Sequence, residues 1–186
     1  MPDKAMSLPA GPAVSAVPAS RATAAEVLLQ PIGVIHSEHQ RPESTPVQPV
    51  FARQCLGRVE LHPEYAAGLT GIEGFSHLYL IYHLHLAPAP RLTVQPFLGD
   101  GEHGVFATRF PARPNHLGLS VVELLRREGN RLLVRGVDIL DGTPLLDIKP
   151  YSARFDHITA ERNGWMDMVD DETATQRGLR GYSKSK

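Results

Sequence analysis

Residues 75–86 read FSHLYLIYHLHL. Side chains alternate sides along an extended backbone. Leu78, Leu80, Tyr82, Leu84 and Leu86 therefore share one face, and His77, Tyr79, Ile81, His83 and His85 the other. The pattern predicts a strand with one face in a core, and its neighbours must supply the rest of that core.

Shorter runs of the same kind surround it. Val27-Leu28-Leu29 and residues 32–35 predict a first strand interrupted by Pro31, placing it at an edge or a bulge. Residues 57–61, 92–97, 105–108, 117–125, 132–140 and 145–148 predict further strands. Pro63 to Leu69 suits one or two helical turns with Pro63 in first position. Residues 41–49 carry three prolines and form a loop, and Asp141-Gly142 marks a turn. No internal repeat and no boundary falls inside residues 27–160. The expected fold is mainly β: a single antiparallel β-barrel domain with short helices and loose termini. It spans residues 27–168, between a disordered Ala/Pro-rich tail at 1–26 and a polar C-terminal tail at 169–186.

A formal net charge of −1 gives the chain no global basic footprint. A polyanion would have to be held locally, by groups such as Arg113, Arg126, Arg127, Arg131 and Arg135. The one cysteine, Cys55, excludes an intramolecular disulfide and fits the reducing cytoplasm. No apolar run approaches the roughly 20 residues of a membrane helix, so no membrane association is expected.

Two segments carry more polar chemistry than their turns require. In GVFATRFPARPNHLGLSVVEL (104–124), Arg109 and Arg113 offer planar forks for a carboxylate or phosphate, Pro111 and Pro114 stiffen the loop between them, and Asn115 donates and accepts. In VDILDGTPLLDIKPY (137–151), Asp138, Asp141 and Asp147 surround a rigid turn, with Lys149 and Tyr151 beyond it. That segment reads equally as a hairpin and as a turn whose backbone and acids receive a ligand. His77, His83 and His85 invite a metal reading, but no Glu or Cys completes a shell at suitable spacing, and no metal is expected. The glycine-rich stretch 99–104 lacks the ending of a phosphate loop. Ser120 lies inside a strand pattern without a nucleophile elbow, and Cys55 lacks the surroundings of a reactive thiol.

The series PIGVIHS (31–37), Pro46-x-Gln48, GIEGFSHLYLIYHLH (71–85), 104–124 and DILDGTPLLDIKPY (138–151) resembles, in order, the TsaA-like (TrmO) family across about residues 28–155. That family includes tRNA methyltransferases acting on threonylcarbamoyl-adenosine beside the anticodon. The resemblance implies a β-barrel that binds S-adenosylmethionine, a homodimer with the cofactor near its interface, and the tRNA anticodon loop as partner. It implies cofactor contacts at Pro46, Val47, Gln48, Leu84, His85, Arg109, Leu119, Asp141, Gly142, Thr143 and Pro144. Arg113, Asn115, Asp138, Lys149 and Tyr151 are implied near the transfer site. Either Asp138 or Asp147 could handle the acceptor's proton. The chain departs from the family at His116-Leu117, where Pro-Ile is usual, and in the short stretch after Tyr151, where longer bacterial members continue. A same-fold methyltransferase of small molecules and a non-enzymatic S-adenosylmethionine-binding protein are the alternatives.

Overall fold

The structure, a computed structural model, describes residues 27–182; the tail expected at 1–26 lies outside them. Strands β1 (Gly33–Ser37), β2 (Leu56–Leu61), β3 (His77–His83), β4 (Thr93–Val94), β5 (His103–Gly104), β6 (Leu117–Glu128), β7 (Arg131–Arg135) and β8 (Thr143–Pro150) precede helices α1 (Ala153–Asp156) and α2 (Asp171–Leu179). Six strands close into an antiparallel barrel in the order β1-β2-β7-β6-β3-β8, with β8 pairing back onto β1.

Alternation dictates the closure. Leu78, Leu80 and Tyr82 of β3 and Gly118, Ser120 and Val122 of β6 point inward, and the residues between them face out. Ile35, Val59, Leu78, Leu80, Leu132, Val134 and Leu145 are wholly buried in the barrel. Burying each such side chain contributes roughly 1.5–3 kcal/mol before entropy is counted. Closure also leaves no edge in the main sheet for another chain to pair with.

One pairing is unusually tight. Tyr82 stands opposite Gly118, and a Cβ added at Gly118 would lie 2.1 Å from the Tyr82 ring. Only glycine lets the phenol lie across β6 there. The ends of β1, β3 and β7 and the starts of β2, β6 and β8 meet on one rim, called the upper rim below.

Several expected strands are shorter or absent. Residues 27–29 are exposed coil, and β1 begins after Pro31, whose ring removes the donor that would continue the ladder. The expected 92–97 strand reduces to β4, paired with β5 in a separate two-stranded ribbon. Residues 105–107 form a 3-10 turn, closed by the Thr108 hydroxyl donating to Val105 O at 2.9 Å. The 132–140 strand stops at Arg135, because Gly136 turns to φ 87° and Cys55 O takes the amides of Gly136 and Val137. β7 and β8 are not neighbours, so residues 136–142 are not the hairpin that composition allowed; they cross the upper rim. The polar stretch from Asp171, expected to be loose, forms α2, capped by Asp170 accepting from Thr173 N at 2.8 Å.

Candidate functional site

The upper rim gathers most of the residues implied for the cofactor. β1 ends at Ser37, and the loop 42–51 that follows carries Pro46, Val47 and Gln48. β3 ends at His83, just before Leu84 and His85, and β8 begins at Thr143. The His85 ring nitrogen Nδ1 lies 3.4 Å from the Thr143 hydroxyl. Arg109 donates to the Gln48 side-chain oxygen, joining the two proline-containing loops.

Inside this rim runs a chain of polar groups. The Ser120 hydroxyl donates to Asp138 Oδ1 at 2.6 Å, and the Tyr82 hydroxyl lies 3.0 Å from Ser120 Oγ. Since Ser120 spends its proton on Asp138, Tyr82 is the donor of the second bond. Asp138 keeps some exposed surface, but its carboxyl is enclosed. Burial pushes its pKa up to about 7, against the opposing pulls of the Ser120 bond and the Arg109 charge. Burial pushes the Tyr82 phenol far above its ordinary value as well, so it stays a donor. A carboxyl poised near neutral pH, with fixed donors behind it, can take up and release a proton.

Asp141 plays a different part. Burial opposes its ionisation, but hydrogen bonds from Ser37 N at 3.1 Å, from Gln40 and from His36 at 3.2 Å hold its pKa below the ordinary carboxylate value. Its amide donates to His39 O at 2.8 Å and that of Gly142 to Ile35 O at 2.9 Å. The turn is thus locked onto the end of β1. Gly142 takes φ 76°, and nothing stands within 4 Å of the place a Cβ would fill. A ligand can approach that backbone directly.

The remaining expected residues lie elsewhere. Arg113 is not a free anion fork: its guanidinium donates to Val105 O at 3.0 Å and Thr108 O at 2.7 Å, so it holds the shape of the Arg109 loop. Asn115 is exposed beside His116, which takes φ 45°, a left-handed conformation that histidine tolerates better than most residues. Leu119 and Asp147 face out of the barrel, and Asp147 pairs with Lys149 at 2.8 Å. Lys149 lies toward the far end of β8, roughly 20 Å along the strand from Thr143 at about 3.3 Å per residue, and Tyr151 follows just beyond the strand. There Tyr151 packs against His77 and Tyr79.

The histidines of FSHLYLIYHLHL do not converge. His77 meets Tyr151, His83 lies 6.3 Å from the His116 ring, and His85 meets Thr143. Nor are the expected phosphate-holding arginines free. Arg126 pairs with Glu128, Arg127 with Glu73, Arg131 with Glu60 and Arg135 with Glu123. An open groove of about 490 Å³, lined by Val50, Arg53, His77, Val121, Glu123 and Arg135, lies on the outer side of β6, across the strand from Ser120.

Tyr82 and Ser120 are the site residues that sequence reasoning passed over. Their signal was present: Ser120 is the one hydroxyl on the inward face of the 117–125 pattern, and a buried hydroxyl needs a partner.

The tRNA-methyltransferase O N-terminal domain family matches residues 34–157. The chain is 52% identical over 141 residues to a "Probable S-adenosyl-L-methionine-binding protein" of Pyrococcus abyssi, covering 76% of this chain and 77% of that one. It is 37% identical over 139 residues to the human tRNA (adenine(37)-N6)-methyltransferase, covering 70% of this chain and 31% of the relative. A crystal structure of TrmO from Pseudomonas aeruginosa superposes with a TM-score of 0.65 at 39% identity, over 77% of this chain and 62% of that one. The chain therefore spans less than two thirds of the solved protein's length.

Proposed function

The chain belongs to the tRNA-methyltransferase O N-terminal domain family, and on that premise we propose that it is an S-adenosylmethionine-dependent methyltransferase acting on N6 of threonylcarbamoyl-adenosine beside the anticodon of tRNA. The observation that carries this reading is the enclosed Asp138 carboxyl, which accepts from the Ser120 hydroxyl at 2.6 Å inside the rim that gathers most of the residues implied for the cofactor.

The rim suits the cofactor. Arg109 is exposed and aimed by Gln48, as a group for a ligand carboxylate should be. The Gly142 backbone is open, and Leu84 and Pro144 add apolar surface beside it. When bound, the cofactor supplies an electrophilic methyl group, so the protein's work is alignment and proton removal. The Asp138 carboxylate would accept the N–H proton that the acceptor nitrogen gives up on methylation. Tyr82 and Ser120 hold that carboxylate in place. Asp147 faces outward in an ion pair, so the base role falls to Asp138.

The protein acts as a cytoplasmic homodimer in this reading. Leu117, Leu119, Val121, Ile81 and Tyr79 make an apolar outer face on β3 and β6, and Leu119 is 57% exposed. A second copy on that face would bring Leu119, Lys149 and Tyr151 toward a rim they cannot reach within their own chain. Among the described residues no helix is long and apolar enough to cross a membrane.

A small-molecule acceptor is the second reading, favoured by the self-paired arginines on β6 and β7. Purified protein, methyl-labelled S-adenosylmethionine and bulk tRNA from a strain lacking this gene separate the two. Label in threonine tRNA is the expected result. Cofactor binding with no label in tRNA removes the tRNA acceptor.

A further inference from the structure

The last described segment lies beyond the matched family domain and touches the cofactor loop. Helix α2 has nine residues, too few to be stable alone in water. Its contacts explain why it forms. Arg177 forks onto Asp100 at 2.7 and 3.2 Å, and the Arg180 guanidinium lies 4.3 Å from the centre of the Phe97 ring. Upstream, Trp165 Nε1 donates to Ala107 O at 2.8 Å.

The contacts that matter most are with residues 46–51. The carbonyl of Gly178, in the last turn where a helix leaves acceptors unused, receives the amide of Val47 at 2.9 Å. Gly178 is buried against Phe51, and a Cβ there would lie 2.4 Å from the ring. Gln48 donates to Val47 O and accepts from Arg109, and the Arg109 charge acts on Asp138. A continuous set of contacts thus runs from α2 through Val47 and Gln48 to the arginine of the site.

Tyr182 fastens the end of the segment. Its hydroxyl donates to Glu38, and its ring meets the edge of His39 with centres 5.0 Å apart. Glu38, His39 and Cys55 offer ligand atoms within 4.8 Å of one another, the one such group among the described residues. Burial lowers the pKa of His39, whose Nε2 lies 2.9 Å from Val137 O. Tyr182 is seated on this cluster, which anchors the end of the segment.

We propose that residues 171–182 are a strap that holds the loop 46–51 in its cofactor-binding shape, with Gly178 and Tyr182 as positioning residues. The proposal rests on the rim being the S-adenosylmethionine site. It gives a segment outside the family domain a part in cofactor affinity.

Calorimetric titration of S-adenosylmethionine into the full chain tests it, with Gly178→Ala, Phe51→Ala and the double variant. Alanine suits a helix better than glycine, so Gly178→Ala favours α2 itself and disturbs only its seat on Phe51. The Kd of Gly178→Ala should rise about tenfold, the change corresponding to one backbone hydrogen bond's net contribution. The Val47 amide should lose protection from hydrogen exchange in the same variant. The loss should appear in KM for the cofactor more than in kcat, and Phe51→Ala in the double variant should bring Kd back toward that of Phe51→Ala alone. Unchanged Kd in Gly178→Ala, or a loss that the second substitution does not relieve, overturns the strap. Wild-type protein that fails to bind S-adenosylmethionine overturns the cofactor reading itself.

Discussion

Ser120 donates its hydroxyl proton to Asp138 across 2.6 Å, linking an inward residue of β6 to the segment that crosses the upper rim. Asp138 is three residues past Arg135, which pairs with Leu56 at the end of β7, yet it ends inside the barrel mouth. The same enclosure that costs the carboxylate its hydration raises its affinity for a proton.

The rate of methyl transfer should therefore rise with pH through about 7, as Asp138 loses its proton and becomes able to accept another. Asp138→Asn should abolish that rise and lower kcat by about 10²–10⁴, the usual worth of a general base. A pH profile of kcat/KM for both proteins checks this; a profile still rising through 7 in Asp138→Asn assigns the base elsewhere.

The same group makes a stability prediction of definite sign. Its folded-state pKa, about 7, lies above its ordinary 3.8, so between these values the folded protein holds the proton that the unfolded chain has released. Stability from this group is full below about pH 4 and is lost as pH rises through about 7. The melting temperature of Asp138→Asn relative to wild type should accordingly increase from pH 5 to pH 8. A difference that does not change with pH contradicts the raised pKa.

Gly118→Ala should destabilise the protein by at least about 1–3 kcal/mol, the range for overpacking a filled core. The added methyl meets the Tyr82 ring, which has nowhere to go without releasing Ser120. Denaturant unfolding measures the loss. Tyr82→Leu should relieve it in the double variant, and additive losses would show that the ring is not the obstacle.

Arg126→Ala and Arg131→Ala should leave both the affinity for tRNA and its dependence on salt nearly unchanged. Each guanidinium already faces a glutamate, so an approaching phosphate gains little net charge there. Filter binding across a salt series tests this, and a salt slope reduced by about one in either variant would place that arginine on a phosphate.

The barrel was readable because FSHLYLIYHLHL and its neighbours alternate, and alternation survives in the structure as Leu78, Leu80 and Tyr82 facing in. What alternation does not encode is where pairing stops. Leu84 and His85 continue the pattern but leave the strand, since the Leu84 amide turns to His116 O and the His85 amide to His83 O. The segment after Arg135 stays apolar through Val137 and Ile139, but its direction is set by Gly136 and by Cys55 O, a contact 81 residues away in sequence. Arg109 and Gln48 could be singled out by type; that they touch across 61 residues could not. Arg113 was legible as a guanidinium in a stiff loop, and only the fold shows it spent on the loop's own carbonyls.

The most direct test is the thermal stability of wild-type protein and Arg109→Ala with increasing S-adenosylmethionine. Wild type should gain about 2.7 kcal/mol at a hundredfold excess over Kd, and Arg109→Ala should gain distinctly less at the same concentration. A wild-type protein whose melting temperature does not move, or an Arg109→Ala that responds as wild type does, contradicts the placement of the cofactor on the upper rim.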